Sequence, residues 1–140
     1  MSSLSSSDRI FINAKIVFRA GDEVLYITYT DGTSDVPGGH VEYGEKILAT
    51  LNRELQEELG YTLSVEPRLL GVYDDIRPQK PIHRVTIGFM VDLPSKIDFQ
   101  WQEHDDVKLT WVNVNNIPDI TFHPPYIKDL LIRASQYPQA

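Results

Sequence analysis

The chain has 140 residues, 41% of them hydrophobic, and a formal net charge of -7. That length suits one domain able to bury a core, and the negative balance argues against long nucleic acid as a partner, because neutralising many phosphates relies on Lys and Arg. Cysteine is absent, which excludes disulfides, thiolate metal sites and a cysteine nucleophile and fits a reducing compartment.

The opening "MSSLSSSDR" lacks the basic and apolar regions of a secretory signal, and no run of about 18 apolar residues follows that would span a membrane. The expectation is a soluble, cytoplasmic protein with no membrane partner: residues 1 to 8 as a flexible tail, 9 to 140 as a single domain. Residues 10 to 18 and 24 to 29 are rich in β-branched and aromatic side chains around the turn "AGDE", which predicts a pair of strands. Residues 45 to 59 contain neither Gly nor Pro. Leu48, Leu51, Leu55 and Leu59 recur there at helical spacing, and Gly60 supplies the stop, so a helix is predicted.

Residues 69 to 73 and 83 to 91 read as strands on either side of the charged, proline-bearing connection "DDIRPQKPI", and 107 to 112 as another strand. "NVNNIPDI" reads as a turn or short helical piece. Pro124 and Pro125 precede a closing amphipathic helix, 126 to 134, with Ile127, Leu130 and Leu131 as its buried stripe. Strands before, between and after two helices give an α/β or α+β domain.

The stretch "RELQEELG" places three carboxylates in five positions. At about 100° per residue, Glu54, Glu57 and Glu58 converge on one helix face beside the leucine stripe. Like charges at these spacings cost roughly a few tenths of a kcal/mol per pair. On its own the pattern fits a solvated acidic face better than a metal site. The preceding "DVPGGHVEYGE" changes the balance, because Pro37, Gly38 and Gly39 read as a tight loop that allows close backbone approach to a ligand. Loop carbonyls and convergent carboxylates, with no lysine among the acids, form a hard oxygen donor set suited to Mg²⁺, with Mn²⁺ as the other candidate, rather than zinc.

Gly39, five residues, Glu45, seven residues, then Arg53-Glu54-Leu55-Gln56-Glu57-Glu58-Leu59-Gly60-Tyr61 resembles the Nudix box, the signature of MutT-like hydrolases that cleave nucleoside diphosphates linked to another moiety. Only Tyr61 departs from the usual aliphatic residue. The resemblance implies an α/β/α sandwich around a mixed sheet. It implies Glu57 and Glu58 as principal metal ligands, Glu54 as a further ligand or the base, and the Gly39 carbonyl completing the set. Glu45 and Arg53 would brace loop and helix through a salt bridge. A further acid from a later loop is expected, with Glu103 the first candidate and Asp105 and Asp106 behind it; a solvated acidic loop is an equal reading.

The activity implied is Mg²⁺-dependent hydrolysis of a diphosphate bond in a small nucleotide, such as a nucleoside triphosphate or nucleotide sugar, by metal-activated water. A Nudix-fold sugar hydrolase or isomerase and a non-catalytic nucleotide sensor are the alternatives, and a homodimer is possible. Arg77, Lys80 and Arg84, in or beside the 74 to 83 connection, are candidates to hold a phosphate, and solvated loop cations are the ordinary alternative. Tyr73, Phe18, Tyr29 and Trp111 are candidates to stack on a base, although strand aromatics usually belong to the core. His40 is expected to be structural. Pro78 lies near a position that some branches of the family associate with ADP-ribose. Ser34-Asp35-Val36 stand where many members carry an aromatic before "PGG".

Overall fold

The computed structural model describes residues 9–79 and 81–139. The 1 to 8 tail and Lys80 therefore lie outside the described residues. Ten elements follow one another: β1 (Ile10–Ala20), β2 (Glu23–Tyr29), β3 (Ser34–Asp35), β4 (Gly38–His40), α1 (Ile47–Leu59), β5 (Arg68–Arg77), β6 (Ile82–Asp92), β7 (Val107–Asn113), the 3-10 turn Val114–Asp119 and α2 (Tyr126–Gln136). The strands form one mixed sheet in the order β3-β2-β1-β6-β5, with β4 paired to β1 and β7 to β2. Among the described residues only β1 and β6 run parallel, in register from Ile10↔His83 to Arg19↔Asp92.

Side chains alternate across β1 and divide the core in two. Ala14, Ile16 and Phe18 face α1, where Leu51, Leu55 and Leu59 complete a buried cluster. Val17 faces α2 and packs with Ile127, Leu130, Leu131 and Met90. The expected leucine stripe and the expected Ile127-Leu130-Leu131 stripe are the two faces that hold the helices to the sheet, and the result is an α/β/α sandwich. Arg19, on the α2 face of β1, is completely buried. Its Nε and Nη2 bind the two oxygens of Asp92 at 2.6 and 2.9 Å, and Nη1 donates to the Ala134 and Tyr137 carbonyls at 2.8 and 2.6 Å. A buried guanidinium is tolerable only when its donors are used in this way, and its charge complements the carboxyl end of α2.

Four expectations need correction. The first helical residue is Ile47, so Glu45 precedes α1 instead of belonging to it. Gly38 and Gly39 sit in β4, a short strand, because their backbone completes the N-terminal half of β1 through Asn13↔His40, Ala14↔Gly39 and Lys15↔Gly38. The flanking bonds Ile16 N to Pro37 O and Val41 N to Ile12 O, 2.9 and 2.8 Å, extend that pairing. The 74 to 82 connection is mostly strand: β5 runs to Arg77 and pairs with β6 from Ile82, leaving a tight turn. β3 has no counterpart in the expected elements.

Gly38 is where the fold leaves no choice of residue. Its φ is +135°, and a Cβ there would collide with the Ala14 carbonyl oxygen, so both the conformation and the space require glycine. Gly38→Ala is expected to lower unfolding free energy by about 2 kcal/mol or more, read as a lower urea midpoint. A midpoint within error of wild type would show that β4 does not need this approach.

Candidate active site

α1 carries its acids on the side facing β4. Gly39 leaves room for the Glu54 carboxylate, which a Cβ at that position would displace. Glu54, Glu57 and Glu103 each offer an oxygen, and these oxygens all lie within 4.8 Å of one another. Glu103 is delivered by its neighbour Gln102, whose backbone N–H donates to the Glu58 carbonyl at 2.8 Å and ties that loop to the end of α1. Asp105 and Asp106 are not in this group; they border a separate depression with Thr28 and Lys108.

Arg53 is the fixed point beside the acids. Its Nε and Nη2 bind Glu45 Oε2 and Oε1 at 2.9 and 3.1 Å. Nη2 also donates to the His40 carbonyl at 3.1 Å, while Nη1 reaches Glu54 at 3.0 Å and Glu57 at 3.5 Å. Thr50 Oγ1 donates to Glu45 at 2.5 Å. The hydrogen bonds from Arg53 and Thr50 hold the Glu45 carboxyl down at about 2. A carboxylate just ahead of α1 is also favoured by the helix dipole. The expected brace between loop and helix is therefore present in the geometry, and it extends to β4 through His40.

Glu58 turns away from Glu54 and Glu57. Its Oε1 accepts from the Gly38 N–H at 2.8 Å, and the side chain is buried. Burial, opposed by Lys15 and the Gly38 N–H and reinforced by Glu54 and Glu103, pushes its pKa up to about 8. The Glu54 carboxyl is also raised, chiefly by burial, against the pull of Arg53. The acids thus meet a lysine after all, supplied by β1: Lys15 Nζ binds Asp35 at 3.1 Å. Burial opposes the Lys15 charge most, yet Asp35 and Glu58 outweigh it and hold the ammonium protonated.

A polar cleft of about 280 Å³ adjoins the acids, with Gly39 on its border. Asn13, Lys15, Tyr29, Asp35, Pro124 and Tyr126 line it. Arg77 and Arg84, candidates from the sequence, also line it, together with the buried Asp75 between them. Tyr73 is placed elsewhere: it packs in the α2-side core, 6.2 Å ring to ring from Tyr126. Phe18 is core, and Trp111 packs against the α1-side cluster with Nε1 on the Ile97 carbonyl at 3.0 Å. Among the four aromatics, Tyr29 alone borders the cleft. His40 stacks beside Phe11 at 5.4 Å, and burial, then Arg84 and Lys15, lower its pKa.

Asn13, Lys15, Asp35 and Asp75 were not singled out from the sequence. The signal was available: in "INAKIVFR" polar residues alternate with apolar ones in an otherwise buried strand, and period-two polarity marks a face that meets something other than core.

The family profile described as NUDIX domain matches residues 12–131. The chain belongs to the NUDIX family. It is 34% identical over 102 residues to an ADP-ribose pyrophosphatase of Methanocaldococcus jannaschii, covering 71% of this chain and 58% of that relative, so this NUDIX chain spans less than two thirds of the relative's length. The MutT protein from Methanosarcina mazei superposes with a TM-score of 0.75 at 22% identity, over 92% of this chain and 95% of its own. The NUDIX domain of Shewanella oneidensis NrtR, solved with ADP ribose, superposes with a TM-score of 0.70 at 15% identity, over 90% and 86%. These two structural likenesses concern the fold.

Two of the perturbed carboxyls of the NUDIX site, Glu45 and Glu58, act on stability with opposite sign. Glu45, depressed in the folded chain, contributes stability above its unfolded pKa near 4.5 that is lost as pH falls toward about 2. Glu58, raised to about 8, keeps its proton in the folded chain while the unfolded chain gives it up, so stability falls as pH rises from about 4.5 to 8. In chelator, Glu58→Gln is therefore expected to gain thermal midpoint over wild type progressively between pH 5 and pH 8. A constant difference across that range would contradict the raised acid.

Proposed function

We propose that this NUDIX chain hydrolyses the diphosphate bond of a nucleoside diphosphate linked to another moiety, with Mg²⁺ as cofactor and Mn²⁺ as a substitute. The single observation that carries the reading is the group formed by Glu54, Glu57 and Glu103, bordered at Gly39 by a polar cleft. Three carboxylates so close together, partly relieved by Arg53, are a donor set for a hard cation. Glu54, Glu57 and Glu103 would hold it with the Gly39 carbonyl, and Glu58, electrostatically coupled to Glu54 and Glu103, would join them on ionising. Such a cation neutralises the diphosphate and lowers the pKa of bound water.

The chain's own groups supply the rest. Glu54 lies against Gly39, which borders the cleft, and its carboxylate would accept the proton of the attacking water. Water oxygen bonds to one phosphorus, the bridging P–O bond breaks, and the other phosphate leaves with the bridging oxygen, giving two phosphate monoesters. Arg53 and Glu45 hold Glu54 and the β4 backbone in place. Lys15, paired with Asp35, offers a positive charge to the diphosphate from the cleft floor, and Arg77 and Arg84 bind the group beyond it. Likeness to an ADP-ribose pyrophosphatase supports a nucleotide-sugar substrate. We place the protein in the cytoplasm; among the described residues no helix is long and apolar enough to cross a membrane.

The test is product analysis on nucleoside triphosphates, nucleotide sugars, ADP-ribose and dinucleoside polyphosphates, with Mg²⁺, with Mn²⁺ and with chelator. Metal-dependent turnover of one class is expected; binding without turnover across the panel would instead indicate a nucleotide sensor. Glu57→Gln is expected to reduce turnover by about a hundredfold or more with a thermal midpoint unchanged or higher. Glu103→Gln is expected to slow turnover strongly as well, and a wild-type rate in either variant would remove that residue from the site.

A further inference from the structure

The far end of the cleft carries a device that hydrolysis of a bare diphosphate does not need. Asp75 on β5 is buried, 6% exposed. Both its oxygens engage Arg77, Nε to Oδ1 at 3.2 Å and Nη2 to Oδ2 at 3.1 Å, and Arg84 Nη1 lies 3.7 Å from Oδ2. Arg84 is the register partner of Asp75 across β5 and β6. One fixed carboxylate thus orients two guanidiniums, each about one third exposed, at the cleft wall. Among the described residues no acceptor engages Nη1 of Arg77 or Nη2 of Arg84. Guanidiniums pre-set in this way offer planar pairs of donors to a phosphate or carboxylate and lose little freedom on binding it.

Between this pair and the acids lies Asn13. It is 5% exposed, lines the cleft, and its Oδ1 is a buried acceptor with no partner among the described residues. An unsatisfied buried acceptor is destabilising, and a ligand hydroxyl donating to it would relieve that cost. The strand registers fix the sequence of features across the cleft floor. His40 on β4 faces Asn13 on β1, Asn13 faces Thr86 on β6, and Arg84 lies two residues from Thr86 on the same face. Gly39, next to His40, borders the acids. The cleft therefore reads, from the acids outward, as cation site, neutral hydrogen-bond acceptor, paired guanidiniums. Its volume of about 280 Å³ has room for a sugar between the two ends.

We infer that the substrate of this chain is a diphosphate whose attached sugar carries a second anionic group, a phosphate monoester, seated on Arg77 and Arg84, with a sugar hydroxyl on Asn13. The inference rests on the diphosphate-hydrolase reading and narrows it to a substrate class. Asp75 is a positioning residue, acting through the two arginines. An uncharged distal sugar brings no anion to Nη1 of Arg77 and Nη2 of Arg84, and a triphosphate leaves Asn13 without a donor.

Two measurements separate the subsite from the hydrolase reading. Calorimetric titration with ribose 1,5-bisphosphate and with ribose 5-phosphate needs no turnover: the bisphosphate, which carries a second phosphate on the sugar, is expected to bind about tenfold or more tightly. Arg84→Gln is expected to erase that difference, while Arg84→Lys retains part of it. Equal binding of the two probes, absence of ribose 1,5-bisphosphate binding, or an unchanged preference in Arg84→Gln would overturn the inference even if the chain hydrolyses diphosphates. Turnover is then compared between ADP-ribose and ADP-ribose phosphorylated on its terminal sugar. The phosphorylated compound is expected to have about a tenfold or larger advantage in kcat/KM, carried by KM and reduced in Asp75→Asn without a matching loss of kcat. Turnover with equal kcat/KM on both compounds would overturn the subsite and leave the hydrolase reading standing. Binding selectivity with turnover of neither compound would leave the subsite standing and count against the hydrolase reading.

Discussion

The site depends on the guanidinium of Arg53. A helix that carries Glu54, Glu57 and Glu58, and draws in Glu103, concentrates negative charge that would drive its own carboxylates apart or into their protonated forms. Arg53 meets Glu45 with two hydrogen bonds, Glu54 with one, and the backbone of β4 through the His40 carbonyl. One side chain therefore fixes the segment ahead of the helix, the first acid of the group and the strand whose glycine admits that acid. A lysine would place one charge there but could not span three directions with a planar fork.

Around that point the structure sets a cost in stability against readiness to bind. Glu58 is held uncharged up to about pH 8 by burial, and Glu54 is raised in the same direction. Both are conditions a bound cation reverses, since a positive charge favours ionised neighbours. The rigid parts are elsewhere. Arg19, buried against Asp92 and the end of α2, locks the second helix, and the two apolar clusters clamp the sheet between α1 and α2. The helix acids, the lysine and the arginines are displayed from strands and a helix, and the loop that carries Glu103 is tied to α1 by the Gln102 N–H, which keeps their spacing from drifting.

The helices and the acid-bearing stretch were legible because a 3.6-residue period writes itself into leucine spacing, and because α1 ends at Gly60, whose φ of +62° suits glycine. β4 was not legible. Three residues, two of them glycine, have no side-chain period, and their strand character comes from β1 alongside. Glu58 was expected with Glu54 and Glu57 because helical spacing permits it; the Gly38 N–H, a partner remote in sequence, turns it inward. Glu103 was the first candidate, ahead of Asp105 and Asp106, but a solvated acidic loop was an equal reading, since what ties the loop to α1 is the backbone bond from Gln102 to Glu58, remote in sequence. Tyr73 was a candidate by residue type alone, and it packs with the α2-side cluster as strand aromatics usually do. Arg77 and Arg84 were nominated as cations of a loop, whereas they stand on paired strands and owe their orientation to Asp75, a residue whose burial no local pattern announces.

The claim on which the rest stands is that Glu54, Glu57 and Glu103 together hold a divalent cation. The most direct measurement is titration of the chain with Mn²⁺, following the paramagnetic resonance signal of the free ion, in wild type and in Glu57→Gln. The account requires the free-ion signal to be suppressed by wild type, restored by competing Mg²⁺, and left largely intact by the variant. A signal that wild type does not suppress, or that wild type and variant suppress equally, would contradict it.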